Sequence, residues 1–318
     1  MSILIVTYSE DHEGIDLVAS ELIRLGHEVV RLDTDRYPQD LTVSTRYHGS
    51  SRRRSLRLDP ATHSLDECTA VWYRRFRAGE KLFEAGLGDQ FDGAYKESRQ
   101  TLWGTIASLG VKHMNPWQAV RLADFKEVQT GWALDEGLRM PRTLFSNDVQ
   151  EVRDFYSDLG GRMIAKMQSN FTVMRQGDHQ VVYTSPVTAE DLAGLDGLRY
   201  SPMIFQEQVD KRLDVRVIVI GDELYGASVD PAGELDWRKE GEKLMSRWTP
   251  WEIPPEIRGP LLGLMGRLGL CYGAADFVVT PEGECLFLEV NASGEWLWLE
   301  QQAGLPLNPD FNGASQEG

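Results

Sequence analysis

The chain has 318 residues, 42% apolar and 26% charged, enough for about two domains with buried cores, and that composition excludes global disorder. Lys and Arg number 33 against 49 Asp and Glu, a formal net charge of −16 at pH 7. A surface that acidic argues against nucleic acid or anionic membrane as a general partner, yet leaves room for one small basic pocket holding a phosphorylated ligand.

Residues 3–7 predict a buried strand. A helix follows, with Ile15, Val18, Leu22 and Leu25 on one stripe and Gly26 as its stop. Residues 28–32 predict a second strand, and strand–helix–strand at this length implies a parallel βαβ unit. Residues 42–58 read as a hairpin or loop carrying Arg52-Arg53-Arg54, residues 70–76 as a strand and residues 91–109 as a helix. Both Arg52-Arg53-Arg54 and Arg74-Arg75 read as solvated, the second pair also as a possible dimer face. Residues 1–112 thus form an open α/β layer. Asn115-Pro116 punctuates the chain, and residues 117–136 read as one helix ended by Gly137. Beyond a helix at 148–159, strands are expected at 162–168, 172–175, 180–184, 203–208, 213–220 and 223–228. After Pro254-Pro255 a helix runs to Leu268. Strands 274–280 and 284–291 are joined by Pro281-Glu282-Gly283, and a last helix runs from near Gly294 to before Gly304. The fold class is α/β for the first third and α+β for the rest, with boundaries near 112 and 205.

No stretch approaches 18 apolar residues, so no membrane span is expected, and the N-terminus is too short and acidic for a signal-peptide core. Cys68, Cys271 and Cys285 form no CxxC pair, and a third thiol is always left over. Reduced thiols in a cytoplasmic protein are the simplest reading.

The strongest chemical signal lies near the C-terminus. Side chains two apart on a strand share a face, so Asp276 sits with Ala274 and Val278, and Glu289 with Asn291. The three-residue turn forces the strands into a hairpin, on which these oxygens can converge at one end. Two carboxylates and an amide oxygen among Phe277, Phe287, Leu288 and Val290 are hard ligands in an apolar frame, suited to Mg²⁺ bound together with nucleotide phosphates. The same acids could instead simply face water. Lys166, mid-strand in Met163-Ile164-Ala165-Lys166-Met167, and Lys126, on a helix, could each meet phosphate as a point charge; each could also be a surface lysine with a buried stem. Arg216 lies between Val215 and Val217 and invites a carboxylate or phosphate, with Asp214 on the same face as ligand-site acid or structural mate. Arg238, in Asp236-Trp237-Arg238, could reach an anionic substrate. Gln206-Glu207-Gln208-Val209 ends a strand whose backbone could meet an adenine edge.

In this order, these features resemble the ATP-grasp carboxylate ligases. The stretches Trp132–Leu138, Leu235-Asp236-Trp237-Arg238 and Leu288–Trp296 are most similar to the microviridin-type (graspetide) maturases of ribosomal peptides. The resemblance implies an ATP-grasp fold: an N-terminal pre-ATP-grasp domain (1–112), a central subdomain with a peptide-gripping hairpin (113–205) and a C-terminal subdomain with the Mg²⁺ site (206–318). It implies ATP and Mg²⁺ as cofactors. Lys126 and Lys166 would hold the phosphates, Lys166 also lying near adenine. Glu207, Gln208 and Val209 would hold adenine and ribose, and Asp276, Glu289 and Asn291 the metal. Arg216 and Arg238 would face the γ-phosphate and the acceptor carboxylate, with Asp214 orienting Arg216 or activating the nucleophile.

The expected partner is a ribosomal precursor peptide with leader and core, and a homodimer is the commonest symmetric assembly. Many ATP-grasp enzymes cover the phosphates with a glycine-rich hairpin, but residues 168–183 contain only Gly177. Apolar Phe171 and Val173 there suit a grip on the leader instead, as the resemblance implies; a core-facing strand is the other reading. The implied activity is closure of ω-ester or ω-amide side-chain crosslinks, ester being favoured. A ligase of free amino acids or protein tails, a binding module without turnover and an ATP-grasp kinase are the alternatives.

Overall fold

Two units account for the chain, Met1–Val120 and Arg121–Gly318. The computed structural model describes residues 2–168, 172–175, 178–181, 184–231 and 247–307, with backbone alone for 172–175 and 178–181.

In the first unit, alternating apolar runs build a parallel sheet in the order Glu28–Asp33, Ser2–Thr7, Cys68–Tyr73, Lys112–Met114. Helix Glu13–Arg24 provides the crossover between the first two strands in sequence, as the βαβ pattern predicts. Leu4, Val6, Val30, Leu32 and Val71 from the sheet join Leu102 and Ile106 of helix Phe91–Ala107 in one core. The stretch read as a hairpin or loop is a three-stranded antiparallel sheet, Thr42–His48, Ser51–Leu58 and Ala61–Ser64, which buries Leu56 in that core.

The arginine runs are not uniformly solvated. Arg54 is 3% exposed, its guanidinium bonded to Asp66 at 2.8 Å and to the Ser108 carbonyl, because strand alternation turns it inward while Arg53 faces out. Arg74 is equally buried, 3.6 Å from Asp11, just beyond the end of strand Cys68–Tyr73.

The loops at the carboxyl ends of these strands are tied together by Asp35. Its carboxylate accepts the Ser9 N–H at 2.8 Å and hydroxyl at 2.7 Å, and pairs with Lys81 at 2.8 Å. Burial alone would push its pKa up; the bonds from Lys81 and Ser9 outweigh burial and hold it below the ordinary carboxylate value.

The single helix predicted over 117–136 is not continuous. The chain forms two, Trp117–Ala123 and Lys126–Asp135, interrupted where Phe125 adopts extended backbone, φ −79° and ψ 100°. The Ala123 carbonyl at the break is met by the side-chain amide of Gln129. Helical periodicity runs straight through such a break, because both helices bury apolar residues.

Two antiparallel sheets follow. The first is ordered Ser185–Pro186, Met163–Lys166, Met203–Glu207, Thr143–Ser146. One face, through Met163 and Phe205, packs on Val152 of helix Val149–Asp158. Its other face carries Ile164, Lys166, Ile204, Gln206, Thr143 and Phe145. The second is ordered Thr249–Pro250, Glu223–Val229, Leu213–Ile220, Tyr272–Val279, Cys285–Asn291. The hairpin partner of Thr172–Arg175 is Asp178–Val181, shorter and earlier than predicted, and the last helix is Leu297–Ala303. Among the described residues no helix is long and apolar enough to cross a membrane.

Asp35 makes the stability of the first unit acid-sensitive in a defined direction. A carboxylate with a depressed folded pKa contributes stability above its unfolded pKa, and that contribution is lost as pH falls through the folded value. Asp35→Asn is expected to cost about 1–3 kcal/mol at neutral pH. In thermal melts the gap between wild type and variant should narrow as pH drops below about 3.9, the unfolded carboxylate value.

Candidate functional site

The Tyr272–Val279 and Cys285–Asn291 strands pair in register up to one irregularity. Phe277 lies opposite Phe287, but Asp276 lies opposite Glu289, so Leu288 is an extra residue. This bulge changes which way the strand's side chains point. Before it, Phe287 faces inward with Phe277, at 2% and 1% exposure; after it, Val290 faces inward and Glu289 and Asn291 face outward with Asp276. Uninterrupted alternation would have placed Phe287 on the same face as the two polar residues.

Arg216 lies opposite Asp276 on the other side, so Arg216, Asp276 and Glu289 form one row across three adjacent strands. Lys126, first residue of the second helix, closes the row with its amine 2.6 Å from Glu289. Arg216 grips Asp276 with two bonds, 2.8 and 2.9 Å. Burial works against the guanidinium's charge, but Asp276, with Glu289 behind it, more than offsets this, and its pKa is raised above the usual value. The sequence is thus cation, carboxylate, carboxylate, cation. Gly294 brings the chain round beyond Asn291: a Cβ there would strike that of Ala274, and its carbonyl accepts the Tyr272 hydroxyl at 2.6 Å.

These residues line a cleft of about 680 Å³ between the two sheets of the second unit. Lys126, Lys166, Glu207, Val209, Asp214, Arg216, Asp276, Glu289 and Asn291 all border it. From the facing sheet, the Lys166 amine donates to Gln206 Oε1 at 2.5 Å, and Gln206 Nε2 donates to Thr143 Oγ1 at 2.9 Å. Gln208 does not line the cleft: its N–H donates to the Arg162 carbonyl and its C=O accepts from the Arg162 guanidinium. Asp214 shares the face of Arg216, and its two oxygens accept from Lys211 at 2.8 Å each. The carboxylate that grips Arg216 through two bonds is Asp276. Phe171, Arg238 and the side chain of Val173 lie outside the described residues; Val173 backbone pairs with Gln180.

The donor set fits a hard divalent cation. Asp276 and Glu289 are cross-strand neighbours of like charge, with Asn291 two residues on, and all three open to the cleft. Among the described residues no three His, Cys, Asp or Glu side chains gather as a metal group, so the third oxygen here is an amide.

Comparisons with known proteins identify the family. A family model described as the MvdD pre-ATP grasp domain matches residues 2–121. The structure of macrocyclase MdnC bound with precursor peptide MdnA, from Microcystis aeruginosa MRC, is similar over 95% of this chain and 94% of that one. Its identity is 36% and its TM-score 0.87. The chain belongs to the ATP-grasp maturases of ribosomal peptides. A second member, a Chryseobacterium gregarium RiPP-associated ATP-grasp ligase in complex with ADP and a leader and core peptide, matches at 33% identity. It covers 94% of this chain and 91% of its own, with a TM-score of 0.88. Macrocyclase MdnB from Microcystis aeruginosa MRC matches at 28% identity over 100% and 99% of the chains, with a TM-score of 0.77. No curated sequence matches the chain significantly.

In this maturase, inspection of the sequence misses Lys211 and Gln129, and it names Gln206 only for its backbone, not for its side chain. Lys211 is a cleft cation one turn of chain before Asp214, indistinguishable in sequence from other surface lysines. Gln206 fixes the Lys166 amine; its place in a strand beside Phe205 was the available signal. Gln129 is 1% exposed and bonds the backbone of Val290, a contact 161 residues away that no local pattern announces.

Removing Asp276 leaves the Arg216 guanidinium, 13% exposed, short of its partner. Asp276→Ala is expected to lower unfolding free energy by about 3 kcal/mol, the cost of breaking a largely buried ion pair from one side. Urea denaturation measures this, and Arg216→Met with Asp276→Leu should recover much of it.

Proposed function

We propose that this maturase is an ATP-dependent macrocyclase that activates Asp or Glu side chains of a ribosomal precursor peptide and joins them to Thr or Ser as ω-esters, or to Lys as ω-amides. The observation that carries the reading is the Arg216–Asp276–Glu289–Lys126 row at the cleft, in a chain 36% identical to a peptide-bound macrocyclase. ADP in the Chryseobacterium relative, with its leader and core peptide, supports nucleotide and peptide use here.

A carboxylate is a poor electrophile because hydroxide leaves badly. Transfer of the γ-phosphoryl group from ATP makes an acyl phosphate, from which a hydroxyl or amine displaces phosphate. Asp276, Glu289 and Asn291 would hold Mg²⁺, which when bound neutralises charge on the phosphate oxygens. Lys126 and Lys166 enter the cleft from opposite walls and would bind the phosphates. Glu207 and Val209 border the place for adenine and ribose; the Gln208 backbone groups are already engaged by Arg162, so its part there would fall to the side chain. Arg216, fixed by Asp276, would face the γ-phosphate or the acceptor carboxylate, with Arg238 as its companion. Asp214, clamped by Lys211, is the candidate base for the nucleophile.

We take residues 113–205 and 206–318 as the two ATP-grasp subdomains, one sheet to each wall of the cleft, following the 1–112 pre-ATP-grasp domain. Phe171 and Val173 are assigned to the leader. A cytoplasmic homodimer completes the proposal; the three free cysteines suit a reducing compartment, and light scattering tests the dimer.

Incubating the protein with ATP, Mg²⁺ and a precursor peptide should yield a product lighter by one water per ring, with phosphate released. A product heavier by a phosphate would mark a kinase, and coupling to a free amino acid the rival ligase. Arg216→Ala should lower turnover by roughly 10²–10³ with the same peptide, the loss typical of one preorganised charge. Phe171→Ala is expected to weaken leader binding while ADP affinity stays unchanged; equal loss of both would remove Phe171 from the leader site.

A further inference from the structure

Among the described residues strand Cys285–Asn291 is the margin of its sheet, so the outward backbone groups near the metal-side acids meet no described strand. Two of them, the N–H and C=O of Val290, are met by one side chain. Val290 N–H donates to Gln129 Oε1 at 2.8 Å, and Gln129 Nε2 donates to the Val290 carbonyl at 2.8 Å. A primary amide offers one acceptor and two donors, and the second donor meets the Ala123 carbonyl, at the end of the preceding helix. Gln129 therefore substitutes for a missing strand at one residue and closes the helix break at another.

The location is what gives this contact consequence. Val290 lies between Glu289 and Asn291, and Gln129 lies three residues after Lys126, so it is one turn along the same helix. The helix and strand are thus joined at two adjacent points, Lys126 to Glu289 by charge and Gln129 to Val290 by a paired hydrogen bond. The ion pair rests on two flexible, partly exposed side chains, at 24% and 35% exposure. Gln129 is 1% exposed, and its partner is backbone.

We propose that Gln129 is a positioning residue: it sets the register between the helix that carries the phosphate-binding Lys126 and the strand that carries Glu289 and Asn291. The metal oxygens and the lysine amine then meet one nucleotide at a fixed spacing. This rests on the assignment of Lys126, Glu289 and Asn291 to MgATP. Gln129 does not border the cleft; it acts through the Val290 peptide groups.

Gln129→Met keeps the length and volume of the side chain and removes all three hydrogen bonds. Calorimetric titration with ADP, with and without Mg²⁺, reads the effect on binding apart from turnover. Wild type should bind ADP more tightly with Mg²⁺. In the variant this Mg²⁺ enhancement should shrink roughly 10–100-fold, the range for residues that orient metal ligands, while metal-free ADP affinity changes less. A purely structural role would lower the melting temperature and leave the Mg²⁺ enhancement intact, overturning the proposal. If Gln129→Met does not fold, Gln129→Asn, polar but one methylene short, is expected to reduce the enhancement in the same direction; an unchanged value there also overturns it. Wild type binding ADP with no response to Mg²⁺ would refute the metal assignment itself, a result distinct from an unaffected variant beside a responsive wild type.

Discussion

Two carboxylates opposite one another on neighbouring strands repel, and the second unit is arranged around that repulsion. Asp276 and Glu289 are tolerable in a half-buried row because each has its own cation, Arg216 on one flank and Lys126 on the other. The four charges sum to zero, so the protein alone does not bury uncompensated charge. Both carboxylates border the cleft, where in the proposed function they would offer oxygens to a divalent ion. Arg216 is rigid because a bidentate grip and the strand hold it; Lys126 is placed by a helix that begins only after the chain has broken an earlier one.

On the opposite wall a side-chain amide does the positioning. Lys166 is held by the Gln206 amide, which is in turn held by Thr143, a chain of bonds across three strands of one sheet face. One wall of the cleft thus carries the row of paired charges and the other a lysine amine fixed by an amide oxygen.

Much of this was legible in the sequence because charges inside apolar strands are conspicuous. Asp276, Glu289, Asn291, Lys166 and Arg216 stand out against Phe, Ile and Val, and the short Pro281-Glu282-Gly283 turn fixes their strands as a hairpin. What local pattern could not reveal were features set by pairing across the fold. Gln129 looks like any helix-forming residue until its partner at Val290 is known. Arg54 and Arg74 look like solvated arginines until strand phase and Asp66 or Asp11 are in place. Gln208 belongs to a plausible adenine-binding run, yet its backbone turns to Arg162. The helix break at Asp124-Phe125 lies within an unbroken apolar stripe, and only the amide bond to Ala123 shows why the chain can stop and restart there.

The extra residue at Leu288 divides one strand into two segments of opposite phase. Phe287 answers to the interior and Glu289 to the cleft, though they are separated by a single amino acid. Without such an offset, any alteration of interior packing along this edge would fall on the same side as the ligand chemistry. With it, the hydrophobic half and the ionic half can diversify separately, which suits a scaffold whose relatives keep their architecture while sharing only about a third of their residues.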